Sequence, residues 1–292
     1  MFSKLPVSER FAAEILHWFP KQAFSRGMGW ASRLSVPRPL RDPIYRSFAR
    51  HYGIDLSELD RPLSEFDRFD DFFCRPLPEG ARQIEAGADI VVAPCDGVLS
   101  VLGNTDDGMC IQAKGHDYTV SGLLADEGAA QRFRGGLFMT IYLAPHNYHR
   151  VHSPIDSQVV GFRHIPGARY PVNQLSVANV PNLFARNERL VTYLRTPLGE
   201  VALIMVAATG VGNITVAYEP SLCTMAGGPD RGACTYDQSK PLNKGDELGM
   251  FHLGSTVILL FEPGRVRSEI MAGTELRVGQ CIGRATTSHQ GQ

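Results

Sequence analysis

Phe251-His252-Leu253-Gly254-Ser255-Thr256, followed by Val257-Ile258-Leu259-Leu260-Phe261, is the stretch on which the reading of the chain turns. The apolar run behind the Gly-Ser peptide reads as a buried strand over residues 256–261, with Ser255 at its mouth. Gly254 has no side chain, so the carbonyl before Ser255 can be approached closely and its backbone bent at little steric cost. If a base takes the proton of Ser255, the hydroxyl oxygen can attack that carbonyl and exchange the peptide bond for an ester. Elimination from the ester leaves a dehydroalanine, which hydrolyses to a pyruvoyl group at a new chain end. The same residues are equally an ordinary turn feeding a strand, so the partners of Ser255 decide.

The 292 residues allow one large domain or a main domain with a smaller attachment, and 43% apolar composition suffices for a sizeable core. A net charge of −1 hides a basic start: Lys4, Arg10, Lys21, Arg26, Arg33, Arg38, Arg41, Arg46 and Arg50 stand against Glu9, Glu14 and Asp42. The cysteines Cys74, Cys95, Cys110, Cys223, Cys234 and Cys281 form no Cys-x-x-Cys pair, which argues against a zinc ribbon or disulfide scaffold and fits a reducing cytoplasm.

No apolar stretch approaches the ~20 residues that span a bilayer, and the start lacks the pattern of an exported chain. Ser8 is placed to cap a helix running to about residue 19, with Phe11, Ala12, Ile15, Leu16 and Phe19 at helical spacing before Pro20. Phe24, Trp30, Leu34, Ile44, Tyr45 and Phe48 then alternate with arginines. This is the composition of an interfacial amphipathic element, or of a helical hairpin packed on the main domain. Basic residues interleaved with apolar ones, and no reader motif, argue against nucleic acid.

Residues 51–88 read as a connector with short helices, ending in a core cluster of Phe66, Phe69, Phe72 and Phe73. Short strands follow at 90–93, 97–101, 137–143, 159–165, 190–194, 201–207, 214–218 and 256–261, punctuated by Gly, Pro and Asp. The expected fold is therefore α+β: a mainly antiparallel β sandwich or barrel over residues 66–292, preceded by a helical, basic region over residues 1–65. Residues 222–240, with Gly227-Gly228-Pro229, are expected to form an exposed, mobile loop.

Two turns hold chemistry that can serve Ser255. Pro94-Cys95-Asp96-Gly97 places one acid between two strands, although Asp-Gly is also common hairpin punctuation. Pro145-His146-Asn147-Tyr148-His149-Arg150-Val151-His152-Ser153-Pro154 places three histidines on a short connection after a strand, where functional side chains concentrate. A histidine near its reference pKa of ~6.5 is the natural general base at neutral pH, and a carboxylate can fix its tautomer. With no carboxylate or cysteine beside His146, His149 and His152 in the segment, no metal is expected there.

With Gln112-Ala113-Lys114-Gly115-His116, Tyr148-His149-Arg150-Val151-His152-Ser153-Pro154, residues 179–189 (Asn-Val-Pro-Asn-Leu-Phe-Ala-Arg-Asn-Glu-Arg) and Leu253-Gly254-Ser255-Thr256, nearly the whole chain resembles the bacterial phosphatidylserine decarboxylase proenzymes. The resemblance implies self-cleavage between Gly254 and Ser255, giving a β chain of residues 1–254 and an α chain of residues 255–292 that begins with a pyruvoyl group made from Ser255. It places the family's self-processing aspartate, histidine and serine on Asp96, His152 and Ser255, and a substrate-handling histidine on His149. It implies a covalent pyruvoyl cofactor that forms a Schiff base with phosphatidylserine and releases CO2 and phosphatidylethanolamine. It implies a heterodimer of the chain's own two pieces, further dimerisation left open, peripheral on the cytoplasmic side of the cell membrane. Lys114, His116 and Tyr170 are candidates for holding the headgroup. Two other readings stay open: a non-catalytic lipoyl-like or peptidoglycan-binding module with a hairpin at residues 244–249, and a serine hydrolase using Ser255. An uncleaved chain favours the first, and phosphonate labelling of an intact chain the second.

Overall fold

The computed structural model describes residues 21–113, 116–210, 213–225, 228–252 and 255–286. The helix expected from Ser8 lies outside the described residues. Three helices lead, α1 (Lys21–Ala31), α2 (Arg38–Tyr52) and the short α3 (Phe69–Phe73). Strands β1 (Ile90–Val92), β2 (Gly97–Asn104), β3 (Met109–Ala113) and β4 (His116–Thr119) follow, then α4 (Val120–Leu124), α5 (Glu127–Phe133), β5 (Leu137–Leu143), β6 (Arg150–His152) and β7 (Ser157–Ile165). Helices α6 (Gln174–Asn179) and α7 (Leu183–Arg186) precede β8 (Arg189–Thr196), β9 (Gly199–Ala207), β10 (Ile214–Val216), β11 (Ala233–Leu242) and β12 (Glu247–Phe251). The last strands are β13 (Ser255–Phe261), β14 (Val266–Ser268), β15 (Glu275–Leu276) and β16 (Cys281–Ala285).

The strands build an eight-stranded sheet in the order β11-β7-β8-β9-β13-β5-β2-β15, every neighbour antiparallel. Smaller sheets β1-β16-β14 and β10-β12-β6 and the pair β3-β4 stand beside it. The expected α+β class and antiparallel β core are what is found, but the large sheet stays open between its edges β11 and β15 and makes no barrel. β13 lies inside it, with every residue buried. Ser255 faces Leu143 and Ala207, and Val257 faces Ile141 and Met205. A strand hemmed in on both edges and both faces needs an unbroken apolar run, and each fully buried Val, Ile, Leu or Phe contributes about 1.5–3 kcal/mol.

Residues 233–242 depart from the expected loop. They form β11, paired with β7 from Ala233–Arg163 to Leu242–Ser157 with an irregularity between Thr235 and Lys240. Ala-Cys-Thr-Tyr-Asp-Gln-Ser-Lys has the polar composition of a loop because it is an edge strand with much of its surface in solvent.

Helices α2 and α3 pack through aromatic rings. Tyr45 stacks on Phe72 at 5.1 Å between centroids and Phe48 meets Phe69 edge-on at 4.7 Å; such pairs add about 0.5–1.5 kcal/mol each beyond burial. Phe66, Phe72 and Phe73 are buried, as the sequence led one to expect, and Phe69 packs against them. α2 ends at Gly53, whose φ of 75° is the left-handed conformation that glycine adopts freely. Residues 24–44 expose Phe24, Met28, Trp30, Leu34, Leu40 and Ile44. No helix among the described residues is long and apolar enough to cross a membrane.

Candidate active site

Asp96 sits on the turn between β1 and β2, where the two motifs meet. The His152 amide donates to the Pro94 carbonyl at 2.7 Å and the Val92 amide to the Pro154 carbonyl at 2.9 Å. Gly97 lets the turn press on β5: a Cβ there would lie 2.4 Å from the Tyr142 carbonyl oxygen. The Asp96 carboxylate accepts from Arg82 Nε at 3.1 Å, Arg82 Nη2 at 2.6 Å and the Val278 amide at 2.8 Å. Arg82 also donates to both oxygens of Glu58 at 3.0 and 2.9 Å, and that contact holds the Glu58 carboxyl below its ordinary pKa. Asp96 is thus fixed by a two-carboxylate, one-guanidinium bridge.

His152 is equally occupied. Its Nδ1 lies 2.8 Å from the Gly245 carbonyl, and because a carbonyl only accepts, Nδ1 carries the proton. Nε2 is then the bare nitrogen and accepts from the Tyr148 hydroxyl at 3.1 Å. Burial lowers the His152 pKa, against the opposing pull of the Gly245 carbonyl, so the ring is neutral at neutral pH. Gly245 turns its carbonyl inward with a φ of +86°, and a Cβ there would lie 2.8 Å from Ile84. Asp96 and His152 therefore lie on neighbouring segments, but the hydrogen bonds of each run to other partners.

Ser255 and His149 are the opposite case. Both are completely buried, and among the described residues neither the Ser255 Oγ nor either ring nitrogen of His149 has a hydrogen-bond partner. The His149 ring stacks on Phe73 at 4.1 Å. Burial first, then the Arg75 cation, lower its pKa to about 3; the Ala144 and Pro145 carbonyls pull the other way without closing a hydrogen bond. Topology relates the two residues. β5 ends at Leu143 opposite Ser255, and the Phe251 amide at the end of β12 donates to the His149 carbonyl at 3.0 Å. β5 and β13 belong to the large sheet and β6 and β12 to a smaller one, so His149, just before β6, and Ser255, which opens β13, both stand where elements of these two sheets meet in the chain.

The structure adds residues that the sequence did not single out. Arg82 and Glu58 hold Asp96; Tyr148 and Gly245 hold His152. His252 bonds through Nδ1 to Asp70 at 2.8 Å and through Nε2 to the Thr215 Oγ1 at 3.1 Å, with the Cys74 Sγ 3.7 Å from Nδ1. Ligand atoms of Asp70, Cys74 and His252 lie within 4.8 Å of one another, close enough to share a cation. Among the headgroup candidates, Lys114 lies outside the described residues and His116 opens β4. The Tyr170 hydroxyl accepts from Arg186 at 2.9 Å. Tyr148 was within reach of sequence reasoning, inside the histidine motif; Arg82 and Asp70 carried no local signal.

Beyond Thr256, the neighbour of Ser255, opens a mainly apolar cleft of about 1000 Å³ lined by Leu99, Ile111, Tyr142, Val177 and Phe184.

Comparison with known proteins supplies the family. Residues 69–284 match the family model described as phosphatidylserine decarboxylase. A phosphatidylserine decarboxylase proenzyme of Anaeromyxobacter sp. (strain K) is 45% identical over 283 residues, covering 96% of this chain and all of the relative. The proenzyme of Myxococcus xanthus is 43% identical over 282 residues with the same coverage, and that of Brevibacillus brevis 40% identical over 288 residues, covering 94% and 98%. With the match running through both motif turns and β13, the chain belongs to the phosphatidylserine decarboxylase family of enzymes.

Proposed function

We propose that the chain cuts itself between Gly254 and Ser255, turns Ser255 into a pyruvoyl group, and decarboxylates phosphatidylserine to phosphatidylethanolamine at a membrane surface. The observation that carries the reading is the Ser255 Oγ, a fully buried hydroxyl with no hydrogen-bond partner at the mouth of an internal strand. An unmade buried hydrogen bond costs about 1–3 kcal/mol, and a hydroxyl in this condition beside the Gly-Ser peptide is free to react. The surroundings suit the group that Ser255 would become: a buried position between the ends of β5 and β9, closed to water by Leu143 and Ala207. When formed, the pyruvoyl carbonyl supplies the electron acceptor for loss of CO2.

The chain's own residues handle protons and position. His152 presents its Nε2 lone pair toward Tyr148, and takes the Ser255 proton once the Tyr148 hydroxyl releases it. Asp96, clamped by Arg82, fixes the turn on which the His152 backbone rests and puts a negative charge near the imidazolium that forms. His149, neutral and unbonded, is the proton donor to the decarboxylated carbon, directly or through water. After cutting, β13 begins the α chain yet stays zipped to β5 and β9 of the β chain, so the pieces hold together as a heterodimer without a covalent link.

The apolar cleft beside Thr256 supports a lipid substrate. A diacyl lipid leaves its bilayer at about 0.8 kcal/mol per exposed CH2, so the enzyme comes to the membrane. Exposed Phe24, Trp30, Leu34, Leu40 and Ile44, interspersed with Arg26, Arg38 and Arg46, make the surface that would dip between anionic headgroups on the cytoplasmic side. The test is release of labelled CO2 from carboxyl-labelled phosphatidylserine in anionic vesicles, with and without a carbonyl-trapping hydrazine. Release that the hydrazine abolishes supports the reading; a cut chain that releases none contradicts it.

A further inference from the structure

Arg75, two residues past α3, is 3% exposed, and its Nε and Nη1 have no hydrogen-bond partner among the described residues. Arginine stays protonated in proteins, and Glu58 and Asp96 bear on this cation only at a distance, so its unpaired donors are left for something the chain itself does not provide. The nearest carboxylates are already engaged. Asp96 is bound to Arg82 at 2.6 Å and to the Val278 amide at 2.8 Å; Glu58 is bound to Arg82 at 2.9 Å and to Arg277 at 3.3 Å. The Phe72 ring lies under the guanidinium at 5.6 Å, which leaves the donor edges of the fork free.

Two contacts put this cation beside the candidate active site. Phe73 stacks on His149 at 4.1 Å, and Arg150 Nε donates to the Cys74 carbonyl at 3.0 Å, which pins the segment carrying Arg75 to the segment carrying His149. Arg75 also lines a polar cavity of about 420 Å³ with Asp96, His146 and Tyr148. The geometry points to an anion-binding site in this cavity, in which the Arg75 fork holds the phosphodiester of the substrate headgroup.

The substrate has two anionic groups, and choosing between them rests on the proposed decarboxylation. A guanidinium clamped on the departing carboxylate would stabilise the ground state more than the transition state, because the negative charge leaves the carboxylate as CO2 forms. The phosphate keeps its charge throughout, so binding it positions the serine moiety without opposing the reaction. Two parallel N–H···O bonds from one planar fork fit a phosphate, and a lysine cannot reproduce them.

The test uses the full chain bearing Ser255→Ala, which does no chemistry, titrated by calorimetry with glycerophosphoserine and glycerophosphoethanolamine. Both carry the phosphodiester; only the first carries the carboxylate. Both should bind, and adding Arg75→Gln should weaken both by the same factor, roughly tenfold to a hundredfold. A loss confined to glycerophosphoserine would assign Arg75 to the carboxylate and overturn the inference, as would unchanged affinities or no binding with Arg75 intact. Should Arg75→Gln lose its far-ultraviolet circular dichroism, Arg75→Lys decides: several-fold weaker binding of both compounds is expected, and unchanged binding overturns the inference. No CO2 is measured, so a failed decarboxylation reading and a failed phosphate site remain separate outcomes.

Discussion

Asp96 and His152 form one half of the proposed site, Ser255 and His149 the other, and the halves differ in how their polar atoms are satisfied. Both oxygens of Asp96 and both nitrogens of His152 have partners at 2.6 to 3.1 Å. Among the described residues, the hydroxyl of Ser255 and both nitrogens of His149 have none, although both residues are completely buried. A satisfied polar group contributes to the fold and resists movement; an orphaned one costs stability and is available to a reactant. We read the first pair as the held half of the proposed site, from which His152 acts as base only once Tyr148 releases it, and the second as its reacting face.

The largest effect that would sharpen this contrast is that of Ser255→Ala. It should leave a single uncut chain on a denaturing gel, and because the Oγ makes no bond, the melting temperature should not fall. A marked loss of stability would mean that the hydroxyl is part of the held half. Next, His149→Ala should cut normally but decarboxylate about 10²–10⁴-fold more slowly, the range of a lost proton-transfer group; a wild-type rate would remove His149 from the reacting half.

His149 also carries a pH signature. Its folded pKa of about 3 lies below the unfolded value of ~6.5, so the unfolded chain binds the proton more readily. The stability it preserves is fully present above pH ~6.5 and is lost as the pH falls toward 3, by up to about 1.4 kcal/mol per pH unit. Urea midpoints measured across this range should slope less in His149→Gln, and an unchanged slope would break the account.

A smaller effect, on stability rather than chemistry, is expected of Arg82→Met. It leaves Asp96 buried without its cation and should cost about 3–5 kcal/mol by urea unfolding. A loss under 1 kcal/mol would mean that Asp96 is not part of the held half. The least is expected of Tyr148→Phe, which removes one hydrogen bond to His152 worth about 0.5–1.5 kcal/mol and should leave cutting intact. If cutting stops instead, the Tyr148 hydroxyl takes part in the proton transfer, and the boundary between the halves must be redrawn.

The apolar run 257–261 announced an internal strand because no other position in the sheet tolerates five apolar residues in a row, and β13 is that strand. The phenylalanines at 66, 69, 72 and 73 likewise announced a core cluster. β11 was hidden because an edge strand carries the polar residues of a loop. Strand counting also could not show whether the sheet closes, since closure depends on the pairing of its ends. In the site, the residue types at 96, 149, 152 and 255 were visible in their motifs, but their bonding was not. Nothing local links Arg82 to Asp96, 14 residues away, or His252 to Asp70, 182 residues away. The isolation of Arg75 is a property of the assembled packing alone.

The measurement that bears most directly on self-processing at Ser255 is the intact mass of the wild-type protein under denaturing conditions. The account predicts two chains, residues 1–254 and 255–292, the smaller blocked to Edman sequencing and lighter than a serine-initiated peptide by the change from an amino to a keto end. A single unmodified chain of 32.1 kDa, or a smaller fragment with a free serine amino group, would contradict it.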